Sequence, residues 1–156
     1  MLASLSDAPL EDPHLVYEPK YDGIRAIAEI EPNGPVRLWS RLGNEKTAQF
    51  PEIAAALRKW SQRLQAPVVL DGEIVALDGN GEPIGFQNLQ GRIHLGGRES
   101  HGHRKDDPPP STPTALIAFD VLREGRTDYR DRPLLERRAE LERLFARTRS
   151  PMLRIS

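Results

Sequence analysis

The 156-residue sequence has no cysteine, which excludes disulfides, thiolate metal sites and cysteine nucleophiles. It also has no run of 18 apolar residues, so we expect no membrane-spanning helix, and its start lacks the pattern of a secretory signal. The 22 basic and 23 acidic residues nearly cancel, which excludes strong overall attraction to nucleic acid but leaves room for a local basic face. A cytoplasmic protein without membrane association is therefore expected.

Lysine is scarce as well, and this limits where amine chemistry can occur. Of the 22 basic residues only Lys20, Lys46, Lys59 and Lys105 carry a primary amine, and the rest are arginines. Arginine binds phosphate in a bidentate manner but does not act as an amine nucleophile at neutral pH. Any amine nucleophile is therefore one of four residues.

The hydrophobic pattern predicts an antiparallel meander at the start of the chain, followed by alternating helices and strands. Residues 1–13 are interpreted as a lead-in and the polar, proline-rich residues 98–113 as a mobile loop within a single domain over 14–156. Residues 86–97 fit a helix only in part. The predicted strands are 15–20, 24–30, 36–40, 68–77 and 115–122, and the predicted helices begin near residues 51 and 134.

The densest chemical signal is Glu18-Pro19-Lys20-Tyr21-Asp22-Gly23. Strand alternation would place Lys20 and Asp22 on one face, beside an acid and a glycine that turn the chain. Taken alone, the segment fits a β-turn with an exposed lysine equally well. It resembles the Lys-x-Asp-Gly nucleotidyl-transferase motif of ATP-dependent DNA ligases, RNA ligases and mRNA capping enzymes.

Three later segments occur in that family's order. They are Ser40-Arg41-Leu42-Gly43, Leu70-Asp71-Gly72-Glu73-Ile74-Val75 and Ala118-Phe119-Asp120-Val121-Leu122, the last followed by Arg132-Pro133-Leu134. The chain thus resembles the N-terminal portion of a DNA ligase adenylation domain over residues 15–147. The resemblance implies an α+β fold of mostly antiparallel sheets with packed helices, an ATP-grasp-like nucleotidyl-transferase domain. The family's later lysine segments are missing, since no lysine follows Lys105, so we expect a domain that is incomplete at the C-terminus, with no OB-fold domain and weak activity alone.

The resemblance also implies the chemistry. Lys20 would attack the α-phosphate of ATP to form lysyl-AMP, which passes to the 5′-phosphate of nicked double-stranded DNA before the nick is sealed, in replication, repair or recombination at the bacterial nucleoid. A magnesium ion is implied, with Glu73 as its ligand. The implied nucleotide-binding residues are Glu18, Asp22, Arg25, Arg41, Glu73 and Phe119.

Each of these residues also has an ordinary structural interpretation. Phe119 fits a core residue of a buried strand, Glu73 fits the exposed face of a half-buried strand, and Arg25 and Arg41 fit surface ion pairs. For Asp22 the sequence leaves open whether its carboxylate positions the loop or binds a cation. The patterns decide none of these alternatives.

Other signals are interpreted conservatively. A metal site at His94, His101 and His103 is not expected, because these residues lie in or next to a polar loop. The arginine-rich stretch from Arg123 to Arg149 alternates with acids and is interpreted mainly as a solvated helix face. An RNA ligase, a capping-type nucleotidyltransferase and a non-catalytic DNA-binding module derived from a ligase remain alternatives.

Overall fold

A computed structural model describes residue 11 and residues 15–93 and 112–156. Within these residues the chain forms an α+β fold with one seven-stranded sheet, and no helix in this part could cross a membrane. The strands are β1 (Ile24–Ile30), β2 (Val36–Ser40), β3 (Val68–Leu77), β4 (Pro83–Ile84), β5 (Thr114–Glu124), β6 (Thr127–Asp128) and β7 (Leu153–Ile155), and the α-helices are α1 (Pro51–Ser61), α2 (Gln90–Ile93) and α3 (Leu134–Phe145).

The sheet is built around β3, which pairs antiparallel with β1 on one side and with β5 on the other. The main strand order is β2-β1-β3-β5-β6, with β4 added to β3, and β7 lies parallel to β5. The pairing of β3 with β5 is interrupted by register shifts at Val69/Leu70 and at Asp71/Gly72. Apart from β7, the described strand pairs are antiparallel, as predicted.

One face of the sheet forms the main hydrophobic core with α1 and α3. Proline at the first position of α1 costs no hydrogen bond, and Ile53, Leu57 and Trp60 follow on its buried face. The ring of Trp60 lies 5.1 Å from the ring of Phe145 on α3, so the two helices also contact each other. The opposite face of the sheet carries the polar residues of the candidate site.

The strand predicted at residues 15–20 is wrong. Residues 15–22 have no regular secondary structure, and β1 begins only at Ile24. The physical reason is that β2 and β3 occupy both edges of β1, so no edge of β1 is left for a preceding strand. The face shared by Lys20 and Asp22 therefore cannot follow from strand alternation.

The other predicted elements are confirmed with small changes of boundary. The ambiguous residues 86–97 begin with a 3₁₀-helix at Phe86–Leu89, followed by the single turn of α2. The lead-in, apart from residue 11, most of the predicted loop over 98–113, and the three histidines lie outside the described residues. Those interpretations stay predictions.

Candidate active site

Three central strands place an arginine, an aspartate and an aromatic ring together on the sheet face opposite the main core. Arg25 on β1 donates to Asp71 on β3 through Nε (3.0 Å to Oδ1) and Nη2 (2.5 Å to Oδ2). The guanidinium carbon lies 5.6 Å from the ring centroid of Phe119 on β5, within cation–π range. The hydrogen bond to Asp71 is the main cause that raises the pKa of Arg25. Arg25 is therefore a fixed cation beside a flat ring.

Glu73 lies directly opposite Arg25 in the register of β1 and β3 and is half-buried. Burial raises the pKa of this carboxyl above its usual value, since a charge in a less polar environment loses hydration. A hydrogen bond from the backbone N–H of Gly23 and the charges of Arg25 and Lys20 oppose that rise. Glu73 therefore links the middle of the sheet to the segment that carries Lys20.

Gly23 is required by the close approach of this segment to β3. A Cβ atom at Gly23 would lie 2.2 Å from the carbonyl oxygen of Ile74 and 3.0 Å from Cγ of Glu73. The first distance is far below van der Waals contact, and the obstacle is backbone that cannot rotate away. Only glycine allows the lysine segment to lie against the strand and donate to Glu73.

Asp22 and Lys20 differ in how firmly they are held. The Oδ2 atom of Asp22 accepts a hydrogen bond of 3.1 Å from the backbone N–H of Phe86, so its observed contact positions the segment. Lys20 is exposed, at a point where its charge acts on Glu73. The candidate nucleophile is therefore exposed to solvent, and its segment is held through Asp22.

A cavity of about 940 Å³ opens on the same face. It brings together four of the predicted residues, Glu18, Arg25, Arg41 and Phe119, whereas Lys20, Asp22 and Glu73 do not line it. The remaining lining residues are Ile27, Asp71, Asp120, Leu122, Arg130, Leu134 and Arg137. The volume lies in the range typical of small-molecule sites.

The sequence interpretation missed the ion pair between Asp120 and Arg137 at the wall of this cavity. Arg137 on α3 donates through Nε to both carboxylate oxygens of Asp120, at 2.9 and 3.1 Å, and through Nη1 to the carbonyl of Arg132 at 2.6 Å. Both side chains are largely buried. The assignment of Arg137 to a solvated helix face is therefore wrong. The missed signal was Arg137 on the apolar side of α3, together with Asp120 in the otherwise apolar middle of strand β5.

Among the described residues no cluster of three or more histidine or acidic side chains is arranged to hold a metal ion by itself. Asp71 and Asp120 are each engaged by an arginine. Glu73 accepts a hydrogen bond from the Gly23 N–H and lies near the charges of Arg25 and Lys20.

The fold and this site define an α+β domain with an anion-compatible cavity beside a lysine. Comparison with known proteins identifies its family: residues 1–154 match the model of the ATP dependent DNA ligase domain. The chain belongs to that family, which confirms the assignment made from the sequence motifs.

Individual relatives agree. The chain is 41% identical over 129 residues to DNA ligase C of Mycobacterium tuberculosis, a match covering 83% of this chain and 33% of the relative. It is 39% identical over 131 residues to a probable DNA ligase of Streptomyces avermitilis, covering 81% and 23%. The chain therefore spans a third or less of the length of these curated relatives.

Two solved structures share its fold. The ligase domain of M. tuberculosis LigD superposes with a TM-score of 0.65 at 30% identity, covering 89% of this chain and 38% of that one. A mycobacterial DNA ligase D complexed with ATP and MES gives a TM-score of 0.64 at 30% identity, covering 88% and 38%. The α+β fold with a mostly antiparallel sheet is thus the fold of ligase domains.

Proposed function

We propose that this chain is the nucleotide-binding part of an ATP-dependent DNA ligase and that Lys20 becomes adenylylated. The observation that carries the proposal is the convergence of Glu18, Arg25, Arg41 and Phe119 around one cavity beside the lysine segment. A mycobacterial relative of the same fold has been solved with ATP, which supports the choice of nucleotide.

The proposed binding roles follow from the chemistry of each side chain. Phe119 offers a ring on which adenine stacks, a contact generally worth about 1–3 kcal/mol. Arg25 is held by two hydrogen bonds to Asp71, so binding ribose or phosphate oxygens would cost this side chain little further entropy. Arg41 and Glu18 would contact the nucleotide from the open side of the cavity.

The proposed reaction is an attack by Nζ of Lys20 on the α-phosphorus of ATP. A phosphorus–nitrogen bond forms, the bond between the α-phosphorus and the bridging oxygen breaks, and pyrophosphate leaves. The lysine ammonium releases one proton to solvent before the attack and a second one after it, and the product nitrogen keeps one hydrogen. AMP is then transferred to a DNA 5′-phosphate and released when the 3′-hydroxyl attacks. Catalysis of this kind depends mainly on positioning and on neutralising charge.

Magnesium is part of the proposal. Glu73 would hold the ion together with phosphate oxygens and water, because magnesium commonly binds through one or two carboxylates plus substrate phosphates. The bound ion would neutralise charge on the departing pyrophosphate. The raised pKa of Glu73 fits this role, since a half-buried carboxylate gains from a nearby cation.

We further propose that the fold is an ATP-grasp-like nucleotidyl-transferase domain of which these residues form the N-terminal portion. The one-third coverage of DNA ligase C and the lack of any lysine after Lys105 support the second part of this proposal, that these residues are a portion of the domain. Nicked duplex DNA is the proposed partner, and strand joining in replication, repair or recombination at the nucleoid is the proposed task. The chain alone is expected to bind ATP weakly and to label poorly.

Labelling with ATP that carries radioactive phosphorus at the α-position tests the adenylylation step. With Mg²⁺ present we expect faint labelling that survives alkali and is removed by acid, as for a phosphorus–nitrogen bond. It should be lost in Lys20→Ala and kept in Lys59→Ala, which removes an exposed lysine of α1. Labelling that survives Lys20→Ala would refute the assignment of the nucleophile. Labelling by GTP in preference to ATP would instead favour a capping-type enzyme.

A chimera tests strand joining. The matching third of DNA ligase C is replaced by this chain, and the product is assayed for sealing of a nicked duplex. We expect sealing that depends on Lys20 and not on Lys59. A folded chimera that binds nicked DNA without transferring AMP would support the non-catalytic alternative.

A further inference from the structure

Arg92 on α2 is a buried arginine that lies outside the cavity, with 3% of its surface exposed. Its Nη1 donates to Oε1 of Glu52 at 2.5 Å and to the carbonyl of Gln49 at 3.4 Å, and its Nη2 donates to the carbonyl of Thr112 at 2.6 Å. The guanidinium also lies 5.7 Å from the ring centroid of Phe50. So many contacts to one buried cation fix the position of α2.

Glu52 joins a third element to this arrangement. The Oε1 atom that accepts from Arg92 also accepts a hydrogen bond of 2.6 Å from the hydroxyl of Thr114, the first residue of β5. Glu52 itself lies in the first turn of α1. One carboxylate therefore ties α2 and the start of β5 to the first turn of α1.

The segment before Arg92 leads directly to the lysine segment. Leu89 is fully buried in the core, and Phe86, at the start of the 3₁₀-helix, donates its backbone N–H to Asp22. A four-residue helix has no independent stability in water, so α2 depends on these contacts for its position. Phe86 and Arg92 therefore belong to one short continuous segment, residues 86–93.

We propose that Arg92 is a positioning residue for Lys20, acting through the hydrogen bond between Phe86 and Asp22. Asp22 lies two residues after Lys20, and Gly23 lies against Glu73 on the other side, so the lysine segment is held at two points. The Glu52–Arg92 ion pair fixes the segment that carries Phe86, and Phe86 holds Asp22 at the first of these two points. This inference rests on the proposed role of Lys20 but is tested without it.

Amide hydrogen exchange, followed by NMR on the whole chain, is the test. In Arg92→Met we expect exchange of the Phe86 and Gly23 amides to rise about tenfold or more, as expected for loss of a hydrogen bond to a charged acceptor. Ile74 in the middle of β3 should change far less. Arg58→Met, which removes an exposed arginine from α1, is the matched control and should leave all three amides unchanged.

Changes at Asp22 identify the connection. Asp22→Asn keeps an oxygen acceptor and should retain protection of the Phe86 amide, whereas Asp22→Ala should lose it. In the Asp22→Ala background, Arg92→Met should no longer alter exchange at Gly23. If Arg92→Met fails to fold, Glu52→Gln is measured instead, and the same pattern at smaller amplitude is expected.

Two results would overturn the proposal. One is faster exchange at Phe86 with no change at Gly23, and the other is an equal rise at all amides, which would indicate a purely global loss of stability.

In a chimera that seals nicks, Arg92→Met should lower the rate of adenylylation more than it weakens ATP binding. Failure of Lys20 to accept AMP would refute the proposed function and leave the exchange result intact.

Discussion

Removal of Arg137 is expected to destabilise the fold far more than removal of another arginine from the same helix. The Asp120–Arg137 pair has side-chain exposures of only 12% and 8% and three hydrogen bonds from the guanidinium. Breaking such a buried pair by removing one partner costs about 3–5 kcal/mol, because the other charge stays buried. For a chain of this size the Tm should fall by about 6–20 °C.

Arg143→Met is the matched control. Arg143 also lies on α3 and pairs with Glu124 at 2.7 Å and with Glu140, but its side chain is 57% exposed. The side chains of Glu124 and Glu140 are 23% and 16% exposed, but water reaches the guanidinium itself, so these pairs are screened and should contribute less than the Asp120–Arg137 pair. Urea denaturation of the two variants measures the difference, and Asp120→Leu combined with Arg137→Met should recover much of the loss. Equal destabilisation by both single variants would refute the argument from burial.

Three further predictions concern the site. Gly23→Ala should displace the lysine segment, because the added Cβ would lie 2.2 Å from the Ile74 carbonyl oxygen. With the hydrogen bond to Glu73 lost, the free energy of unfolding measured by denaturation should fall by about 1.5–3 kcal/mol. The pKa of Glu73 is raised in the folded state, so the free energy of unfolding should fall as the pH rises from the usual glutamate pKa through the raised one. Glu73→Gln should lack that fall, and identical pH profiles of the two proteins would contradict the prediction. Phe119→Ala should weaken AMP binding by about 1–3 kcal/mol in calorimetry, with Phe119→Leu retaining the fold; equal affinity in Phe119→Ala would exclude stacking.

Long periodic elements could be predicted from the sequence, because their burial pattern is local. The apolar stripe of α1, the ten-residue β3 and the apolar β5 all lie where the pattern places them. Residues 15–20 were mispredicted because alternation says nothing about whether a neighbouring strand edge is available. Here β2 and β3 already occupied both edges of β1.

The candidate site could be predicted in its parts but not in its pairings. Arg25 and Phe119 line one cavity, and Glu73 lies beside Arg25 in the register of β1 and β3, whereas the nucleotide-binding roles that the motifs imply for them stay predictions. The motifs did not show that Arg25 binds Asp71, since that contact joins residues 46 positions apart. The buried position of Arg137 was missed because the arginines of α3 were assigned to the solvated face by their charge, although Arg137 lies on the same side of the helix as the buried Leu141 and Phe145.

The central place of β3 in the sheet also governs how the chain acquires its site. Its partners β1 and β5 lie on either side of it in the sequence, some 40 residues away, and such non-local pairings form slowly because a long loop must close first. Arg25, Glu73 and Phe119 are contributed by these three strands in turn. Because all three strands must be paired before the cavity exists, we expect it to form late in folding. A ligand bound there would then slow unfolding rather than speed folding.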